Sequence, residues 1–418
     1  MAQPTMINRD LQRSHLLVSE AWVNPTPVSH AVGPSFPRNA VPVVGLIRTS
    51  PAGKAPGEYR KVQHMPPGLR PSHKFATTMG HFAAPPFSDH ARVIRVPPAL
   101  DRLPRGRFRL SDEVCLFMRV LWAALHESRL LLFSSRGRLK PELLAIVCIG
   151  LWPRRLRPRI VLYGEMFEPN SGLRAVLERY IMRLADRTIA RYVVYSSEEC
   201  HIFPRLWRVD PAKLRVALLY ARRHPQEQEQ RSIRGTHIFA GGNSFREYAP
   251  LIEAARLLPQ YRFVIATTKG VGVTDLPPNV QVGPLAPDQY ASMVKIAAAV
   301  VVPLRRDVHR LVGQMTYFEA MGNRTPPIVT DTVGVRDYIQ DGITGLVVDG
   351  SPEGYVTAIR WMCDPTHAAQ VQWMGDQAYA VLHDRFTLTH HLKALMMVMD
   401  ELSEQQRPAV EVAKHPDL

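Results

Sequence analysis

The chain has 418 residues, with 52 Lys+Arg against 37 Asp+Glu and a formal net charge of +15. Hydrophobic residues make up 46 % and charged residues 21 %, ordinary globular values that exclude a wholly disordered or fibrous chain. The length suggests about two domains with real cores, and the excess charge points to nucleic acid, a membrane surface or a phosphorylated substrate.

Residues 1–88 carry scattered prolines, such as Pro25, Pro27, Pro66, Pro67, Pro85 and Pro86. Each removes an amide donor and fixes φ, so this stretch is expected to be irregular apart from a strand at Val43–Ile47. It is either an extension or the start of the first domain. From residue 89 strands and helices alternate. His90–Val96, Leu130–Ser134, Ile160–Tyr163, Tyr192–Tyr195 and Lys213–Leu219 read as strands. Ser111–Leu125, Leu139–Trp152, Gly172–Ala185 and Ser197–Phe203 read as helices. The stretch 221–234 is polar and reads as a linker, closing a first domain over 89–228. A second series fills 229–384. Its strands are His237–Ala240, Arg262–Ala266, Asn279–Val282, Ala298–Pro303, Pro327–Thr330 and Leu346–Val348. Its helices are Arg246–Leu257, Asp288–Ala297, Gln314–Met321, Tyr355–Met362 and Ala368–His383. Residues 385–418 hold a last helix, Thr387–Leu402, and a tail. Such alternation indicates two parallel sheets covered by helices, with a ligand outside the carboxyl ends of the strands.

Cys115, Cys148, Cys200 and Cys363 lie far apart, which excludes zinc-ligand or dithiol spacing and suggests buried thiols in a reducing compartment. The longest apolar run, Leu143–Trp152, is far short of the ~20 residues that span a bilayer, and no secretory leader pattern opens the chain. A cytoplasmic protein is expected. The helix Leu139–Trp152, followed by Arg154, Arg155, Arg157 and Arg159, suggests peripheral contact with an anionic membrane at its inner face.

Two stretches carry chemistry. In Phe239–Tyr248 a strand ends in Gly241 and Gly242, with Asn243, Ser244 and Arg246 following. Glycines let backbone approach phosphate, and arginine adds a cation. In Val301–Asp349 a strand leads through Arg305 and Arg306 to a helix opened by Gly313 and Gln314. Its amino end is an anion site through its amides and dipole. Glu319, among Phe318, Ala320 and Met321, is a half-buried carboxylate that ribose hydroxyls would satisfy.

These two stretches resemble glycosyltransferase family 4, the retaining nucleotide-sugar enzymes of GT-B fold. The resemblance is specific over 239–349 and weaker back to residue 90. It implies an α/β protein of two Rossmann-like domains facing a cleft. The C-terminal domain would take a nucleoside diphosphate sugar as co-substrate, with no metal or other cofactor, and the N-terminal domain an acceptor glycan, lipid or small molecule. Donor contacts would come from Gly241, Gly242, Asn243, Ser244, Arg246, Arg305, Gly313, Gln314, Met315, Thr316 and Glu319. Catalysis would rest on Glu165, Arg246 and Glu319. Glu319 matches the second glutamate of the family's Glu-x7-Glu signature, while the first falls on Leu311. Gly313-Gln314-Met315-Thr316 instead looks like the Gly-Gln-x-Thr variant. The segments Asp331–Tyr338 and Asp341–Leu346 look like the family's following segment, which is largely structural.

Ile160–Pro169 looks like the acceptor-facing strand end, with Glu165 first and Glu168 second as polar groups and without the histidine many members carry there. Ser196-Ser197-Glu198-Glu199 also resembles the family, but Ser196 and Ser197 read as a helix cap with acids in the first turn, and Lys213, which resembles a family lysine, reads as structural. Loss of the signature's first glutamate keeps open a weakly active or inactive binding subunit. A nucleic-acid binder is disfavoured, because only Trp152 accompanies the basic run.

Overall fold

The computed structural model describes residues 74–97, 110–134, 140–164, 172–221 and 235–404. The expected strand at Val43–Ile47, residues 222–234 of the expected linker, Glu165 and Glu168 lie outside the described residues.

Six parallel strands form the first sheet: β1 (Phe75–Thr77), β2 (Ala91–Val93), β3 (Arg129–Phe133), β4 (Arg159–Tyr163), β5 (Ile189–Val194) and β6 (Leu214–Val216). Their order is β2-β1-β3-β4-β5-β6. β1 corrects the expectation of an irregular stretch through residue 88: it pairs with both β2 and β3, and all three of its residues are buried. Three residues are too few to show a period in sequence.

Successive strand residues face opposite sides, so Leu130 and Leu132 enter one core and Leu131 the other. The first core lies under α1 (Leu110–His126), α2 (Pro141–Ile149), α3 (Gly172–Asp186) and α4 (Glu199–Trp207). α2 packs against both α1 and α3 and buries Leu143, Ala145, Ile146 and Ile149. It is apolar because it is interior, which corrects its expected place at a membrane surface. The basic run after it is also partly consumed. Arg157 Nε donates to the Trp152 carbonyl at 2.7 Å, and Arg159 Nη1 to the Leu402 carbonyl at 3.0 Å.

The second sheet is likewise parallel. β7 (His237–Gly241), β8 (Arg262–Ala266), β9 (Val280–Gly283), β10 (Ala299–Val302), β11 (Pro327–Thr330) and β12 (Leu346–Val348) lie in the order β12-β11-β10-β7-β8-β9. α5 (Ala249–Arg256) and α8 (Pro352–Cys363) cover one face. The other carries α6 (Pro287–Lys295), α7 (Gln314–Gly322) and much of α9 (Ala368–Arg385).

The chain then returns to the first sheet. α10 (Leu388–Glu404) sets Leu392, Leu395, Val398, Met399 and Leu402 against Phe75, Leu131, Val161 and Val193. Arg191 and Arg215 both reach the Glu401 carboxylate, at 2.7 and 2.5 Å. Both sheets belong to one compact unit, Gly68–Leu418.

Candidate active site

The strand ends of the two sheets border a cleft of about 950 Å³. Its C-terminal wall starts where β7 ends. Gly242 adopts φ +123°, and a Cβ there would stand 2.8 Å from Arg246 Nη2. Only glycine lets this turn close over the guanidinium. Arg246 does not open a helix as expected. The Phe245 carbonyl accepts from the Arg305 amide, and the Glu247 amide donates to the Pro303 carbonyl. That pairing holds the segment extended beside β10, and α5 starts only at Ala249.

The Arg246 side chain ties the turn to α7. Its Nε donates to the Gly241 carbonyl at 3.0 Å, and its Nη2 to Thr316 Oγ1 at 3.0 Å. Burial pulls its pKa below the usual arginine range, while Tyr248, Tyr290 and Tyr317 oppose that shift. An arginine still keeps its charge there. Asn243 Oδ1 accepts from Thr267 Oγ1 and the Thr268 amide, both at 2.8 Å, which fastens the turn to the end of β8.

α7 begins inside the cleft. Gly313 caps it at φ 90°, and Gly313, Gln314, Met315 and Thr316 all line the wall. Tyr317, Phe318, Ala320 and Met321 are buried beneath and fix the helix in place. Its amino end therefore presents the positive pole of the dipole to the cleft. Glu319 lines the same wall, as do Gly242, Asn243 and Ser244; Gly241 backs it, its carbonyl held by Arg246. Arg305 is not brought to this group. Its guanidinium is engaged by Asp307 and is half-exposed, and neither it nor Arg306 lines the cleft. The second cation of the wall is instead Arg310, stacked 4.6 Å from the Phe245 ring centroid.

The opposite wall combines Thr78, His81, Phe133, Tyr163, Tyr220 and His391. The wall thus holds two histidines, His81 and His391, neither of them from the Ile160–Pro169 stretch. His81 sits on the short turn after β1, and His391 on α10. His391 Nδ1 lies 2.8 Å from the Leu218 carbonyl, an acceptor, so Nδ1 carries the proton. Burial pushes its pKa down to about 4. His81 Nε2 lies 3.3 Å from Tyr220 Oη.

Glu199 lies between the two walls. Its carboxylate accepts from the Tyr195 amide and the Leu311 amide, both at 2.9 Å, and from Ser196 Oγ at 3.1 Å. Burial raises its pKa. The residue before α4 is Glu198, whose side chain makes no cap bond, so the expected Ser196/Ser197 cap is corrected, although Ser196 Oγ accepts from the Glu199 amide at 3.3 Å. Lys213 is structural, paired with Asp186 at 3.0 Å. Among the described residues no group of three or more His, Cys, Asp or Glu side chains is placed to hold a metal.

Residues 240–364 match the model of a family described as Glycosyl transferases group 1. No curated protein matches the chain. A glycosyltransferase from Rickettsia africae superposes with a TM-score of 0.52 at 13 % identity, covering 79 % of this chain and 89 % of that one. Sucrose-phosphate synthase from Thermosynechococcus elongatus gives 0.50 at 13 % identity, covering 75 % and 82 %. HepE from Anabaena, in complex with UDP, also gives 0.50 at 13 % identity, covering 76 % and 87 %. The fold is GT-B. In this GT-B chain the matched segment runs from the end of β7 through α7 to α8, so it contains the C-terminal wall of the cleft. The match supports glycosyl transfer.

Proposed function

We propose that this protein moves a sugar from a nucleoside diphosphate sugar to an acceptor hydroxyl, with retention of anomeric configuration and without a metal, in the manner of family 4. The observation that carries the reading is the convergence of α7's amino end, Arg246 and Glu319 on one wall of the cleft. When the bond from anomeric carbon to phosphate breaks, negative charge gathers on the departing diphosphate. A helix dipole and two guanidinium groups, Arg246 and Arg310, are fixed before the reaction and stabilise that charge. Glu319 accepts from the donor ribose. The UDP held by HepE makes uridine diphosphate the first nucleotide to try. The acceptor, a glycan, lipid or small molecule, lies along His81, Tyr163, Tyr220 and His391, with Glu165 assigned from sequence to meet its hydroxyl. Nucleotide sugars and cysteines outside any disulfide both fit the cytoplasm.

A panel of nucleotide sugars, read by melting temperature and by release of nucleoside diphosphate, tests this. A UDP-sugar is expected to raise Tm and to be turned over, and Glu319→Ala to abolish the Tm shift. A shift without turnover would favour the second reading, a non-catalytic binding subunit, which Leu311 in place of the signature's first glutamate supports. The absence of both a shift and turnover across the panel would overturn the proposal.

A further inference from the structure

The helical layer of the first sheet has an outer face that folding does not require. α1 sends Leu116, Val120, Ala123 and Ala124 into the core. Its opposite side is apolar as well: Leu110, Val114, Met118, Trp122 and Leu125 are exposed. Steps of four, four, four and three place them on one stripe. α3 repeats the pattern on the far side of α2, exposing Leu173, Val176, Leu177 and Tyr180. Leu151 and Leu156, just beyond α2, are 83 % and 59 % exposed.

The charges on this layer have one sign. Over the described residues from 110 to 187, every exposed charged side chain is an arginine: Arg154, Arg155, Arg174, Arg179, Arg183 and Arg187. The acids nearby are not exposed. Glu178 is paired with Arg174, Glu127 with Arg92, and Asp186 with Lys213. A groove of about 310 Å³ beside α3 has Arg179, Arg183 and Arg208 at its rim, with Val176, Tyr180 and Trp207.

We propose that the outer face of α1–α3 docks on an anionic lipid bilayer. Leucines, Met118 and Trp122 enter the acyl boundary, while the arginines stay at the level of the lipid phosphates. The groove beside α3 suits one headgroup phosphate. A second copy of the chain fits less well. A two-fold contact through this face would set the six arginines against themselves, with no exposed acid to answer them. The surface differs from the one the sequence suggested, since α2 is interior and its exposed neighbours carry the contact.

Full-length protein is sedimented with vesicles of phosphatidylcholine plus phosphatidylglycerol, and with phosphatidylcholine alone, at low and high salt. The wild type is expected to sediment with the anionic vesicles at low salt. The pairs Met118→Asp with Leu125→Asp, and Arg179→Glu with Arg183→Glu, are each expected to weaken this by about tenfold or more. Unchanged melting temperatures establish that the variants fold. Independently of any variant, hydroxyl-radical labelling of Met118 and Tyr180 in the wild type should fall when anionic vesicles are added. Three results would overturn the proposal. The wild type stays in the supernatant, or labelling of Met118 and Tyr180 is unchanged, or sedimentation velocity shows a dimer that the Met118→Asp pair dissociates.

Discussion

His391 illustrates how a single residue sets a property of the whole. Its ring lies between Tyr163, Tyr195 and Tyr220, and burial lowers its pKa from 6.5 to about 4. Between those values the unfolded chain binds a proton that the folded chain refuses. Stability should therefore fall as pH drops through 6.5 toward 4, by about 2 kcal/mol between pH 7 and pH 5 from this residue. His391→Asn keeps a donor near the Leu218 carbonyl but cannot titrate, so its urea-midpoint profile should be flatter over that window. A profile as steep as the wild type's would sink the assignment. Nothing local in the sequence marks His391, His81 or Arg310 as cleft residues, and Glu199 was singled out only within a stretch read as a helix cap. Each reaches the cleft from a different element, and only the fold brings them together. Gly242, Arg246, Gly313, Thr316 and Glu319 were legible because each group lies within one strand–turn–helix unit. Arg305 was misplaced because Asp307, two residues on, captures its guanidinium. Charge type is readable in sequence, but side-chain direction is not.

Elements were legible where their period was long enough to express. The parallel strands of the second sheet read as short apolar runs, because both of their faces are buried. α10 was legible from its amphipathic spacing, and the structure adds what holds it. Leu395 is fully buried in the core under the first sheet. Leu395→Ala should cost about 2–5 kcal/mol, read from denaturant unfolding of the whole chain. A loss well under that range would mean that α10 docks through its polar contacts rather than its apolar face. Those contacts have their own pH window. Arg215 and Arg191 hold the Glu401 carboxyl down to about 2, against an ordinary 4.5. Their contribution is present above 4.5 and is lost as pH falls toward 2, a range distinct from that of His391. α2 was legible as a helix but not as an interior one, since a helix apolar all round looks alike in a core and at a surface.

At the scale of the molecule, the two sheets are held at a set separation by the ends of a few segments. The Asp337 carboxylate accepts from the Ser197 amide at 2.6 Å and from Ser197 Oγ at 2.9 Å. The Gly334 amide donates to Glu198 at 2.9 Å. Tyr338 makes the central contact. Its hydroxyl donates to the Tyr195 carbonyl and accepts from the Leu219 amide, both at 2.7 Å. Gly334, Asp337 and Tyr338 belong to the segment after α7 that the sequence marked as structural; Ser197 and Glu198 belong to the stretch read as a helix cap, and Tyr195 and Leu219 to the ends of two expected strands. Together they form the strut that faces one wall of the cleft to the other. Tyr338→Phe keeps the ring, stacked on Phe386 at 20°, and removes only the hydroxyl. Losing the two bonds should cost about 1–3 kcal/mol of stability, because a buried carbonyl and amide lose their partner. The functional consequence is sharper. The residues assigned to the nucleotide, Arg246, Thr316 and Glu319, all sit on the C-terminal wall and do not touch Tyr338's bonds. Affinity for UDP, measured by calorimetry, should therefore stay close to the wild type's. Transfer needs both walls at once, so kcat should fall about tenfold or more as the reacting groups lose alignment. Small-angle scattering should show a larger radius of gyration for the ligand-free variant. If UDP affinity falls in step with kcat, or if neither changes while stability drops, the strut does not set the spacing of the walls.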